Sequence, residues 1–378
     1  MGMHSSGSFV RVDGWAFNRE GRPLECARCG SWEFYEYAGY TRHPITLKGK
    51  VDQAVVRYQC KSCRKTVVQT FDYVGKWKQY AKDTHRTALN RMARDRSSRR
   101  HTSRSMRDDF PASPCESTLR NWANLYGKLA RITLRGEIFP QLDLSGYQPV
   151  HMDEIYTHVA GGKMAIMDAM THKGYLSLGG TVCNDPSSDD AWDVLEQMDD
   201  LLIEPTSFVT DDSAIYPPAF SRLGRPVVHR TCVFHRLRTI GRWEKQLAKT
   251  KNKKERREIL ENIIRNCKEL FDQIWDDPHG KITNNRLERR FAEVRRMLHQ
   301  NVGFMCLECA DNFQWLERFR WNFHRFERGQ YAGKSPVEVC DFRMDGHEWT
   351  YFLGIPDRED LEVKIESVIC LLSQLIAP

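Results

Sequence analysis

Cys26-Ala-Arg-Cys29 and Cys60-Lys-Ser-Cys63 each hold two residues between their thiols. That gap lets both sulfurs of one turn reach a single tetrahedral ion. Two such turns, with 30 residues between Cys29 and Cys60, make a four-thiolate set suited to a structural Zn²⁺. The intervening segment leaves room for an extra hairpin. Four protein ligands leave no open coordination position, so this site is expected to organise structure rather than catalyse.

A second set of candidates is carboxylates. Asp153 lies in Val150-His151-Met152-Asp153-Glu154, read as a core strand, and Asp211 ends the short strand Phe208-Val209-Thr210-Asp211. Glu288 sits in Asn284-Asn285-Arg286-Leu287-Glu288, at the start of a helix. A strand centre, a strand end and a helix can converge on one point. Hard oxygen ligands suit Mg²⁺ or Mn²⁺, and two ions sharing carboxylates support in-line phosphoryl displacement. Asp212 is the alternative to Asp211, because alternation along a strand forbids both facing one way. By the same rule Glu154 is expected to face away from Asp153. Fifty acids offer many such triples, so spacing alone leaves the set open.

The elements that must position these groups read as α/β. Strands are expected over Val150–Val159, Lys163–Met170, Tyr175–Cys183, Ser207–Thr210 and Pro226–Val233, with a helix over Asp189–Leu202. A charged helical insert at 242–277 follows, then a helix bearing Leu287, Val294 and Leu298, then an aromatic helix over Asn312–Phe326. Upstream, Thr84 is read as the cap of a helix carrying Ala88, Leu89, Met92 and Ala93. Pro111 and Pro114 interrupt, and a further helix starts near Ser117, with Trp122 and Leu125 read as core. The order helix, helix, turn, helix suggests a helix-turn-helix-like unit.

The net charge of +7 is modest, but Lys76 to Arg107 holds eleven Lys/Arg against two acids. Such a cluster is a footprint for a polyanion. Arg99, Arg100, Arg120 and Asn121 are the candidates for DNA contact. No Gly-x-Ser-x-Gly and no phosphate-cradling glycine loop occurs, which argues against a serine nucleophile and a nucleotide cofactor. No signal peptide is evident, and the longest apolar stretch, Val368–Ala377, is far short of the roughly 20 residues that span a bilayer. Twelve cysteines in such a chain point to metal ligands and reduced thiols rather than disulfides. A cytoplasmic, nucleoid-associated protein with no membrane partner is expected.

Met152-Asp153-Glu154, Val209-Thr210-Asp211 and Asn284-Asn285-x-x-Glu288 together resemble the three motif blocks of the DDE-type insertion-sequence transposases of bacteria and archaea. Gly333-Lys334-Ser335-Pro336-Val337-Glu338 is similar to the tail of such catalytic domains. The resemblance covers Gln148 to Cys340 and implies a ribonuclease H-like core, a mixed five-stranded sheet flanked by helices. It implies that Asp153, Asp211 and Glu288 carry the catalytic metals. A basic residue seven positions after the Glu is typical of the family; Arg295 stands there, two helical turns on, where it can meet DNA phosphate. The 76 residues from Asp211 to Glu288 exceed the compact family spacing, which the insert explains.

The organisation expected is a zinc ribbon at 1–72, a basic helix-turn-helix-like region at 73–135, a catalytic domain at 146–345 and a helical tail at 346–378. The function implied is metal-dependent cleavage and strand transfer on double-stranded DNA, transposon ends and target, by a homo-oligomer in a prokaryote. The alternatives are a nuclease on the same fold and an inactive, domesticated DNA-binding regulator. Cys232-Val233-Phe234-His235 resembles a Cys-x-x-His element found after the second Asp in several transposase families. With Cys306 and Cys309 it could complete a second zinc set; the plainer reading has Cys232 and His235 packed beneath the acids and Cys306 and Cys309 as small buried hydrophobes.

Overall fold

In a computed structural model the described residues are 10–357, apart from 13, 19, 76–77, 145, 160–161, 200, 202, 277–282 and 301–303. The tail expected at 346–378 lies outside the described residues after 357. The chain divides into two compact units. The first comprises the described residues up to Asp95, Arg99–Trp122, and those from Thr350; the second comprises Arg96–Ser98 and Ala123–Trp349. No helix among the described residues is long and apolar enough to cross a membrane.

In the first unit, short β-rich runs form β1 (Val10–Val12), β2 (Trp15–Phe17) and β3 (Pro23–Glu25), one antiparallel sheet. A second sheet pairs β4 (Phe34–Arg42), β7 (Gln53–Cys60) and β8 (Thr66–Val68); the small hairpin β5 (Ile45–Thr46) and β6 (Gly49–Lys50) lies in the connection from β4 to β7. Aromatic and β-branched side chains suit such pleated, half-buried surfaces. Trp15, Phe17, Phe34, Tyr58 and Val67 bury one another around Cys26 and Cys60.

Helix α1 (Lys82–Leu89) starts after Ala81, so Thr84 is not its cap. The Thr84 hydroxyl instead donates to the Ile45 carbonyl at 3.3 Å, and the Leu47 N–H donates to the Asp83 carboxylate at 2.9 Å. These bonds tie the start of α1 to the β5–β6 hairpin. Helices α2 (Arg99–Asp109) and α3 (Glu116–Thr133) follow, and the division between units falls within α3. Ala88, Leu89, Met92, Met106 and Leu119 are buried, and Trp122 stacks on His85 with ring centroids 3.8 Å apart. Leu125 is exposed rather than core. The buried stripe of α3 runs through Leu119, Ala123, Tyr126 and Ala130, and Leu125 falls off that helical period.

The second unit is built on β9 (Val150–Val159), β10 (Gly162–Thr171) and β11 (Ser177–Cys183), antiparallel neighbours, with β12 (Ser207–Thr210) and β13 (Val228–Thr231) added in parallel on the other side of β9. The order β11-β10-β9-β12-β13 puts β9 in the centre. Helix α4 (Ser188–Asp199) precedes β12, and α5 (Tyr216–Ser221) links β12 to β13. The insert is a helical pair, α6 (Val233–Lys249) and α7 (Lys253–Asp276). The break comes at Thr250, whose backbone is extended, and Asn252 restarts the helix by accepting the Lys254 N–H at 2.9 Å. Helices α8 (Asn285–Gln300) and α9 (Leu307–Phe323) follow, and Ser335 with Glu338 forms a capping box on α10 (Pro336–Val339).

Helix α9 is buried nearly all round, which explains its richness in Trp and Phe. A Cβ on Gly127 would lie 2.0 Å from the Asn312 carbonyl oxygen, so only glycine lets α3 and α9 approach there. The burial also encloses a charge network. Arg290 of α8, fully buried, bonds Asp168 of β10 at 2.7 Å and Glu317 of α9 at 2.6 Å. Glu317 also accepts from Arg320 at 3.0 Å, and Ser177 bonds both Asp168 and Arg318. Each charge has a counter-charge within bonding distance, the condition under which burial of ions is tolerated.

Candidate functional site

The cysteine site is built from two turns. After Cys26 the chain folds back through Gly30, whose N–H donates to the Cys26 carbonyl at 2.9 Å with φ at +69°. After Cys60, Arg64 does the same at 3.0 Å with φ at +57°. Sulfurs of Cys26 and Cys63 lie 3.5 Å apart, and those of Cys29 and Cys60 3.7 Å. A tetrahedral zinc with bonds of about 2.3 Å has sulfur–sulfur edges of about 3.8 Å, so the donor set fits the ion. The N–H groups of Cys63 and Ser62 lower the Cys60 thiol, while Cys29, despite the Ser31 N–H, is raised by the sulfurs of Cys63, Cys60 and Cys26, as expected of thiols crowded where one ion would take their protons' place.

Asp153, at the middle of β9, is buried, and in register with Asp168 of β10. Paired residues share a sheet face, and α8 lies over it, Glu288 reaching toward Asp153 while Arg290 holds Asp168. Asn284, just before α8, fixes its start. Its amide donates to the Met152 carbonyl at 3.2 Å, its carbonyl bonds His151 at 3.0 Å, and its N–H donates to the Cys232 sulfur at 3.2 Å. Asp211 follows β12, held by the Ser213 N–H at 2.9 Å.

Two ligand groups result, each with its atoms mutually within 4.8 Å: Asp153, Glu154 and Asp211, and Asp153, His235 and Glu288. Asp153 belongs to both. One of its oxygens accepts the Glu154 N–H at 2.9 Å; the other is buried with no hydrogen-bond partner. Burial, then the Asp211 charge, pushes the Asp153 carboxyl well above its ordinary range. Burial followed by Asp211 raises Glu154 to about 7, and burial raises Asp211. Clustered, desolvated carboxylates with an orphaned oxygen fit a divalent cation.

Glu154 corrects the expectation that it faces away. Its carboxylate lies with Asp153 and Asp211, and the Tyr216 hydroxyl donates to it at 2.7 Å. The pairing of β12 with β9 involves Val150 and His151, and alternation fixes a Cβ direction, not where a long side chain ends. Asp212 turns elsewhere, to Arg236 at 3.2 Å. Arg295 lies 3.8 Å from Glu288 and is exposed on its outer side.

Cys232 and His235 sit at the start of α6, with His235 Nε2 3.5 Å from Glu288. Contact with Cys232 and then Glu288 holds the imidazole up at about 10, and His235 in turn keeps the Glu288 carboxyl below its usual value. Cys306 and Cys309 are elsewhere: their sulfurs are 3.0 Å apart, and Cys309 receives the Asn124 amide of α3 at 3.5 Å. Among the described residues the four do not form one ligand group, so the second zinc set is not assembled. Nor are Cys306 and Cys309 both buried, Cys306 being exposed. His235 joins the acids instead, a role that its position after the second Asp could have suggested.

Of the residues expected to meet DNA, Arg100 and Asn121 are exposed, while Arg99 and Arg120 are half-buried. Arg100 shares the exposed face of α2 with Arg104 and Arg107, at helical spacings of four and three. That spacing is present in the sequence and marks Arg104 and Arg107 as two further cations on the face of Arg100.

No protein-family model matches the chain, and no curated protein matches it. Among solved structures it is similar to the HTLV-2 integrase catalytic core domain in complex with magnesium. The dimeric form is 11% identical, covering 51% of this chain and 94% of that one, with a TM-score of 0.26. The trimeric form is 11% identical over 52% and 98%, at 0.28. The simian T-cell lymphotropic virus intasome is 10% identical over 68% and 75%, at 0.25. Likenesses of this size leave the functional reading to the geometry of the site.

Proposed function

We propose that this chain is a DDE-type transposase with a ribonuclease H-like core, cutting and joining DNA at the ends of an insertion sequence. The observation that carries the reading is one buried carboxylate, Asp153, shared by two ligand groups and left with an unpartnered oxygen. Asp153, Asp211 and Glu288 would hold two Mg²⁺ or Mn²⁺ ions. When bound, such a pair activates an attacking oxygen and offsets charge on a leaving oxygen. The protein's own part is positioning: Asn284 and Arg290 fix the helix that carries Glu288, and Arg295 offers a cation to a DNA phosphate. The four cysteines would hold zinc and shape the first unit, whose α2 face supplies cations for duplex DNA.

The mixed five-stranded sheet with β9 at its centre supports the ribonuclease H-like assignment, as do the three motif blocks. The test is incubation of the protein with labelled element-end DNA and Mg²⁺. Nicks at 3′ ends followed by joined products are expected. Nicks without joining would replace the transposase with a nuclease, and binding without either would make the chain a regulator.

A further inference from the structure

The helical insert carries more apolar surface than its own packing uses. Helix α7 turns one stripe inward: Ile259, Asn266 and Leu270 are buried. Beside it runs a second stripe, Leu260, Ile264, Cys267, Phe271 and Ile274, at alternating spacings of four and three. That is the heptad repeat of a coiled-coil seam. It is open to solvent: Leu260 is 43%, Ile264 65%, Phe271 62% and Ile274 40% exposed, and Trp275, stacked on Phe271, is 75% exposed. Apolar residues contiguous along a helix and this accessible mark an interaction surface.

We propose that this stripe is a dimer seam, pairing α7 with α7 of a second copy in antiparallel register. The charges beside the stripe name the occupant. Glu261 and Lys268 are exposed on the same flank, seven residues apart. A two-fold axis between them sets Glu261 of each copy against Lys268 of the other, while Ile264 layers on Cys267 and Leu260 on Phe271. The opposite flank, with Leu270 buried, is turned into the hairpin, so a parallel pair would find no matching charges there. A two-fold contact must be self-complementary, and this stripe with its flank satisfies that condition. The inference stands apart from the catalytic reading, since it concerns association without DNA or divalent ions.

Light scattering of the full chain across micromolar concentrations tests it. A dimer is expected, and Ile264→Asp/Phe271→Asp should yield a monomer with unchanged helical circular dichroism. Glu261→Lys and Lys268→Glu should each raise the dissociation constant about tenfold, and the double swap should restore it. Both side chains are solvated; Glu261→Lys also gives up the exposed i,i+4 ion pair with Arg257 at 3.0 Å, a contact small enough to leave the fold intact. A wild-type monomer at every concentration overturns the proposal. So does a dimer indifferent to the aspartates, or a double swap that fails to rescue.

Discussion

The sulfur cluster and the oxygen cluster gather metal ligands in opposite ways. Cys26, Cys29, Cys60 and Cys63 come from two tight turns, lie at near-tetrahedral spacing and are joined by Trp15, Phe17 and Phe34 in a small core. Nothing beyond the four thiolates is needed to close the shell. Asp153, Glu154, Asp211, His235 and Glu288 come from β9, the end of β12, α6 and α8; burial and then the Asp211 charge raise Asp153 and Glu154, while His235 lowers Glu288. Such a set is unbalanced without a cation and keeps positions for other ligands. A closed shell serves folding; an open one would serve the chemistry proposed above.

The largest effect that would sharpen this contrast is loss of the thiolates. Cys26→Ser/Cys29→Ser should remove the single zinc per chain read by elemental analysis and unfold the first unit, since structural zinc contributes on the order of 10 kcal/mol. Two zincs in the wild type would revive the set of Cys232, His235, Cys306 and Cys309. Next, Asp153→Asn should cost strand cleavage on the order of a thousandfold or more, with binding of end DNA kept within about twofold. Cleavage at the wild-type rate sinks the proposed site.

Arg290→Met should lower stability by about 3–5 kcal/mol, because it strands Asp168 and Glu317 in the interior. Denaturant titration reads this, and a change below about 1 kcal/mol would show the network to be slack. The smallest effect is with pH. Burial and Asp211 raise Glu154 from 4.5 to about 7, so the ion-free folded state binds more protons than the unfolded chain in that window. Stability should therefore fall as pH rises through it, on the order of 1–3 kcal/mol, and Glu154→Gln should flatten the trend. A stability that climbs over the same range contradicts the crowding of these acids.

Much of this was legible in local pattern. The strands Val150–Val159 and Ser207–Thr210 were read from the sequence at the bounds the structure gives them, because apolar runs punctuated by turns are local signals. The cysteine pairs were visible for the same reason. Glu154 was misjudged by a rule about Cβ direction that says nothing of a flexible carboxylate. The Arg290 network was invisible, since its partners Asp168 and Glu317 lie 122 and 27 residues away and charges on a helix ordinarily read as a solvated face. Leu125 read as core because one residue of helical phase separates the buried stripe from solvent.

The clamp on α8 has an angular consequence. Glu288 and Arg290 are two residues apart on one helix, and Arg290 is locked to both the sheet and α9. A carboxylate stands about 6 Å from a helix axis, so a roll of only 10° would carry it about 1 Å. Displacements of that size can cost about a hundredfold in rate. The buried guanidinium thus acts as a rotational stop, its bonds to β10 and α9 setting the bearing of Glu288.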